Sequence, residues 1–265
     1  MVTRDTPWPP GTPCWVDLAA DDVGSAIAFY GALFGWDIQS AGPQAGGYHI
    51  AYQYGRAVAG LGSTAEGQPS TWTTYLATDD ADATAAAITA AGGRLLAGPA
   101  DLLGQGRMAL ATDTAGAVFG LWEAGSMEVG QMEASSIKSS QIKGIGLANE
   151  PGSLCWNEHT SDDLPGSLAF YRAVFGYESE EMTANYTLLK TAGQQSHVGG
   201  IGSAVGPAGW STYFAVADTA TALALAQGLG ATIVRPQWDS DWGPMVTVAD
   251  DQGAVFSLCT APADS

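Results

Sequence analysis

The chain has 265 residues, enough for about two domains of ordinary size, and 46% of them are apolar, enough for packed cores. No apolar run approaches the roughly 18–20 residues that cross a bilayer. A formal net charge of −18 repels phosphate backbones and anionic lipid surfaces, so no nucleic acid and no membrane partner is expected.

Met1 to Pro13 is proline-rich and lacks the apolar stretch of a secretory signal, so a cytoplasmic location is expected. Cys14 to Ala19 predicts a short strand. Asp21 or Asp22 then caps a helix whose apolar face is Val23, Ile27, Tyr30 and Phe34, and Gly35 closes it. Strands follow at Tyr48–Tyr54 and Ala57–Leu61. A second module opens at Trp72 with Asp79-Asp80. It continues through an Ala-rich helix over Ala81–Ala91 to strands near Met108–Thr112 and Val118–Trp122. Ala124 to Gly152 is polar and aperiodic and predicts a solvated linker that includes Lys138 and Lys143.

The pattern then repeats. A helix with Leu164, Leu168, Tyr171 and Phe175 on one face follows Asp163, with Pro165 in its first turn and Gly176 at its end. Strands are predicted at Tyr186–Lys190 and Val198–Ile201, then a helix over Thr219–Leu229, then strands at Met245–Ala249 and Val255–Cys259.

Pro10 to Gly35 aligns without gaps on Pro151 to Gly176, at an offset of 141 residues. Later, Trp72-Thr-Thr-Tyr75 matches Trp210-Ser-Thr-Tyr213, and Gly116-Ala-Val-Phe119 matches Gly253-Ala-Val-Phe256. The chain is therefore a tandem duplication, with domain 1 over 10–124, a linker over 125–150 and domain 2 over 151–262. Repeats this long are domains, not solenoid units. Cys14, Cys155 and Cys259 are expected as structural free thiols of a reducing compartment.

Asp22, Phe29-Tyr30 and Phe34-Gly35, with Asp113, Gly116 and Phe119 near the end of the copy, resemble the vicinal oxygen chelate superfamily of glyoxalases, bleomycin resistance proteins and dioxygenases. Asp163, Phe170-Tyr171, Phe175-Gly176, Asp250, Gly253 and Phe256 repeat the pattern. The branch most similar is the two-domain actinobacterial proteins labelled glyoxalase-like or hydroxylase. The resemblance covers nearly the whole chain outside the linker. It implies an α+β fold of tandem glyoxalase-like domains. Each is built from two βαβββ modules that curl their sheet into a concave pocket, with helices on the outer face.

The resemblance also implies positions for metal ligands. They fall on Trp15, Thr73 (or Trp72) and Gly120 in the first copy, and on Trp156, Ser211 and Ser257 in the second. None is a good ligand, and His49, His159 and His197 do not repeat between copies. No cofactor is predicted, and a divalent metal is disfavoured. Asp17 and Glu158, two residues after each tryptophan, share its face because a strand has a period of two. They are the candidate acids that could bind a metal, act as a general base or contact a ligand, with a satisfied polar residue at the sheet edge as the alternative. Trp15, Tyr48, Thr73, Tyr75 and Trp122 are candidate ligand contacts in the first copy, and Trp156, Tyr186, Ser211 and Tyr213 in the second. Aromatic walls with few polar groups suit a planar organic ligand. Ordinary core packing is the competing account, and it is preferred for Trp72 and Trp210.

The function expected is metal-independent binding of an aromatic or polycyclic natural product, in antibiotic biosynthesis or resistance, by a monomer or homodimer. The alternative is a glyoxalase-like lyase, isomerase or dioxygenase, including a metal-dependent one. A degenerate interaction module is the third.

Overall fold

Residues 2–102, 104–125, 142–203 and 208–260 are described by the structure, a computed structural model. Lys138, most of the expected linker and residues 261–262 lie outside them.

The four helices among the described residues start where a carboxylate can accept the free N–H groups of a first turn. Asp22 accepts from Ser25 N (3.1 Å) before α1 (Val23–Phe34), and Asp80 from Ala83 N (2.9 Å) before α2 (Ala81–Ala90). Asp163 accepts from Gly166 N (3.0 Å) before α3 (Leu164–Phe175), and Asp218 from Thr221 N (2.8 Å) before α4 (Thr219–Gly228). Gly35 and Gly176 end α1 and α3 at φ 71° and 67°, left-handed backbone that a residue without Cβ adopts cheaply.

Each copy is one sheet. In the first, β2 (Pro13–Ala20), β3 (Asp37–Ser40), β4 (His49–Gln53), β5 (Arg56–Ser63), β6 (Thr71–Ala77), β7 (Arg94–Asp101), β8 (Gly106–Thr112) and β9 (Val118–Ala124) form eight strands. Their order is β3-β4-β5-β2-β6-β9-β8-β7, two βαβββ modules joined through the antiparallel pair β2·β6. The second copy repeats this with β11 (Leu154–Ser161), β12 (Glu178–Thr183), β13 (Tyr186–Lys190), β14 (Gly199–Ser203), β15 (Gly209–Val216), β16 (Thr232–Ser240), β17 (Gly243–Ala249) and β18 (Val255–Thr260). β1 (Val2–Thr3) and β10 (Leu147–Ala148) extend its sheet. The tandem α+β architecture of paired βαβββ modules is thus observed. Sequence patterning misses β3, β7, β12 and β16. They are outer strands with little burial, so no apolar alternation marks them.

The helix-bearing faces of the two sheets meet. Each apolar core therefore draws on both copies: Phe29 and Phe34 pack with Phe214 and Phe256, and Phe119 packs with Phe170 and Tyr171. Burying each such ring is worth about 1.5–3 kcal/mol. At the centre Thr74 donates to Asn157 Oδ1 (2.9 Å) and lies 3.4 Å from the Thr212 hydroxyl, so the buried polar groups there are paired across the copies.

Two expectations are corrected. Residues 142–150 are not a solvated linker: Ile145 and Leu147 are buried, and Ile145 N and Gly146 N donate to Cys14 O and Ala57 O, each at 2.7 Å. Lys143 Nζ donates to Gly125 O. The segment is too short to show a period, yet it closes the edge between β2 and β5. Cys155 and Cys259 are not isolated thiols. Their sulfur atoms meet across β15, whereas Cys14 is buried apart from them. Spacing in the sequence does not reveal which strands become near neighbours.

Candidate functional site

Strand alternation divides the side chains of β2. Val16 and Leu18 enter the shared core, which turns Trp15 and Asp17 to the helix-free face. Trp15 lies opposite Tyr75, and Asp17 lies between Thr73 on β6 and Gly60 on β5. Trp15 Nε1 donates to Asp17 Oδ1 (2.5 Å) and to Tyr48 Oη (3.0 Å), while the Tyr48 hydroxyl donates to the same carboxylate. Tyr75 also hydrogen-bonds Asp17. Burial pushes the Asp17 carboxyl up, against the opposing pull of Tyr48, Trp15 and Tyr75. Burial likewise pushes Tyr48 and Tyr75 well up, and the nearby Asp17 charge adds to it.

The glycines are part of the construction. A Cβ on Gly60 would run into the Tyr48 hydroxyl, and a Cβ on Gly120 into the Tyr75 ring. Each tyrosine lies flat across a neighbouring strand because that strand has no side chain there.

The second copy repeats the arrangement. Trp156 lies opposite Tyr213, and Glu158 between Ser211 and Gly200. Trp156 Nε1 donates to Tyr186 Oη (3.2 Å), and a Cβ on Gly200 would meet that hydroxyl. Tyr186 and Tyr213 both hydrogen-bond Glu158. Burial raises the Glu158 carboxyl, opposed by Tyr186, by the charge of Arg235 and by Tyr213. Each copy thus gathers one carboxyl, two tyrosines and one tryptophan on its helix-free face. A carboxyl raised by burial and set among phenols can exchange hydrogen bonds with oxygen functions of a ligand or take part in moving a proton.

The other candidates divide. Thr73 and Ser211 are partly buried beside the acids. Trp122 is buried on the helix-free face of β9, since Phe119 and Leu121 take the core side, and its Nε1 donates to Ile142 O (3.2 Å). Trp72 and Trp210 are core residues that donate to Tyr30 Oη (2.9 Å) and Tyr171 Oη (2.8 Å). His159 is fully buried in the copy–copy interface, 2.8 Å from Asp113 Oδ2, and Asn157 is beside it. The divergence of these two from Leu18 and Val16 therefore concerns the interface and not the ligand face. Arg107 pairs with Asp82, and Glu123 caps α2 by accepting from Ala81 N.

Sequence patterning found β17 but missed β16 and the turn between them, which complete a hairpin. Arg235 lies over the Trp238 ring at 3.7 Å, and Trp242 stacks on Trp156 at 6.4 Å and 20°. The signal was the Trp238–Trp242 cluster, which has no counterpart in the first copy. A cavity of about 350 Å³ lies apart from the hairpin, between the N-terminal segment with Trp8, the 145–149 segment, Trp156 and the loop with His197.

The sequence profile of the Glyoxalase/Bleomycin resistance protein/Dioxygenase superfamily matches residues 14–121. A protein of Mycobacterium tuberculosis named "Putative glyoxylase CFP32" is 37% identical over 262 residues, covering 94% of each chain. The anthracycline biosynthesis protein DnrV of Streptomyces peucetius is 33% identical over 279 residues, covering 96% of this chain and 94% of its own. The chain belongs to the Glyoxalase/Bleomycin resistance protein/Dioxygenase superfamily. Among solved structures, the Mn(II)-bound glyoxalase of Novosphingobium aromaticivorans superposes with a TM-score of 0.65 at 16% identity, covering 96% of this chain and 83% of that one. The 2,3-dioxygenase LapB of Pseudomonas sp. KL28 does so with a TM-score of 0.63 at 10% identity, covering 96% and 94%. At such identity these two superpositions show the fold alone.

Some superfamily members hold a metal, and the residues here do not fit one. No group of three or more His, Cys, Asp or Glu side chains converges among the described residues. At the implied positions stand indoles, hydroxyls and a glycine, and the Tyr75 ring fills the space in front of Gly120. No helix among the described residues is long and apolar enough to cross a membrane.

Proposed function

We propose that this superfamily member is a metal-independent small-molecule-binding protein whose helix-free faces hold or act on an aromatic, polycyclic natural product. The observation that carries the proposal is the duplicated set Asp17, Tyr48, Tyr75, Trp15 and Glu158, Tyr186, Tyr213, Trp156. Flat aromatic walls around a carboxyl and phenols suit a fused-ring ligand bearing hydroxyl or keto groups. The names of DnrV and of its Streptomyces sp. counterpart DauV, both anthracycline biosynthesis proteins, support the same ligand class.

Titrating tryptophan fluorescence with hydroxylated anthraquinones tests the proposal. Saturable quenching is expected, and it weakens when Asp17 and Glu158 are replaced by Asn and Gln. A flat response across the series rejects it. Native mass spectrometry of protein purified without chelator supplies the independent check. A stoichiometric metal increment would move the function to a metal-dependent lyase or dioxygenase.

The raised carboxyls support a second reading, proton transfer to or from a bound carbonyl or phenol. Loss of turnover in Glu158→Gln with ligand affinity retained would select catalysis over binding alone.

A further inference from the structure

We infer that the two faces are not equivalent: the second copy takes the ligand, a planar hydroxylated aromatic carrying an acidic oxygen, and the hairpin residues Arg235 and Trp242 select it. The inference rests on the aromatic-ligand reading above and assigns it to one face.

The first face is closed at its tryptophan. Trp15 is 4% exposed and donates to Asp17, whereas Trp156 is partly exposed and donates to Tyr186; Tyr75 and Tyr213 are alike buried. Trp122 occupies the same face beyond Gly120, held by Ile142 of the segment that follows the first sheet. At the offset of 137 residues that relates Phe256 to Phe119, the equivalent of Trp122 is Cys259. A small side chain replaces an indole.

The second face is open at its rim. Glu158 and Tyr186 are partly buried, as Asp17 and Tyr48 are, but Trp156 is partly exposed where Trp15 is buried, and Trp242, stacked on Trp156, is 55% exposed. Trp242 stands at the hairpin turn with more than half of its surface open, which leaves aromatic area for a planar partner. Trp238 pairs with Met245 and Arg235 with Thr247. By the same offset of 137 residues, their counterparts opposite Met108 and Leu110 are Ala100 and Ala97. At those two positions the first hairpin has neither the ring nor the cation.

The charge specifies the ligand. Arg235 lays its guanidinium plane on Trp238 at 3.7 Å and is close enough to Glu158 to oppose the effect of burial on it. Stacking occupies the plane of a guanidinium and leaves its N–H edge for an oxyanion. A ligand that presents a hydroxyl to Glu158 and an acidic oxygen to Arg235 satisfies both.

Calorimetric titration of the full chain with 1,2-dihydroxyanthraquinone-3-sulfonate, and with 1,2-dihydroxyanthraquinone as the uncharged control, tests this. One equivalent per chain is expected, with the sulfonate at least fivefold tighter. Arg235→Gln should abolish that preference, and Trp242→Ala should weaken both probes at least fivefold. Both residues are exposed, so an unchanged melting temperature will show that the variants fold. Two equal equivalents per chain, or affinities unmoved by both substitutions, overturn the inference and leave the aromatic-ligand reading standing. Binding of neither probe overturns both.

Discussion

Tyr30 and Asp250 are 220 residues apart in the chain and 2.8 Å apart in space, joined by a hydrogen bond from the phenol to the carboxylate. The equivalent pair in the duplication, Tyr171 and Asp113, is joined at 3.3 Å. Each aspartate uses Oδ1 to hold its own loop, accepting from Ala115 N and Ala117 N or from Gln252 N and Ala254 N. Oδ2 is left for the other copy, which supplies Tyr30 at Asp250 and both Tyr171 and His159 at Asp113. The two most recognisable motifs of the sequence therefore act together as the joint between the halves.

Tyr30→Phe removes the hydroxyl that also accepts from Trp72 Nε1. Two buried polar groups lose a partner, at about 1–3 kcal/mol each. A lower urea midpoint with an unchanged slope is expected, and a midpoint within error of the parent would remove Tyr30 from the joint.

The pH dependence of stability tests the other joint. Burial raises the Asp113 carboxyl, but His159 and the N–H groups of Ala117 and Ala115 more than compensate, so it lies below the usual carboxylate range. A lowered folded-state value stabilises the fold above the unfolded value, near 3.9, and that contribution is lost as pH falls through the folded one. Asp113→Asn should flatten the acid limb of a stability-versus-pH curve. An acid limb identical to the parent's would contradict this assignment.

Asp17 behaves in the opposite sense. Burial raises its carboxyl, so the folded state gives up stability as pH rises from the unfolded value through the folded one. Asp17→Asn keeps an oxygen acceptor for Trp15 and Tyr48. It is expected to raise the melting temperature at pH 7 and to lose that advantage toward pH 4. The same gain at both pH values would show that charge burial is not its cause.

Gly120→Ala should destabilise by about 1–3 kcal/mol, because its Cβ meets the Tyr75 ring. Combining it with Tyr75→Ala should cost less than the sum of the two single changes. Strict additivity in a double-mutant cycle would show that the ring does not occupy that space.

The duplication, the four helix starts and the family pattern were legible in the sequence because each rests on local chemistry. Carboxylates cap first turns, glycines accept left-handed backbone, and apolar residues recur at helical spacing. The placement of Trp15 and Asp17 on one face, and of Glu158 with Trp156, followed from the two-residue period of a strand. Strand pairing decided what the period could not. It brought Tyr48 and Tyr75 onto Asp17, laid them over glycines of neighbouring strands, and placed Cys155 beside Cys259. It also set Trp242 on Trp156 and Arg235 on Trp238. Residues that meet through strand order or through the copy–copy interface leave no period in the chain, because their neighbours are chosen by the packing of distant segments.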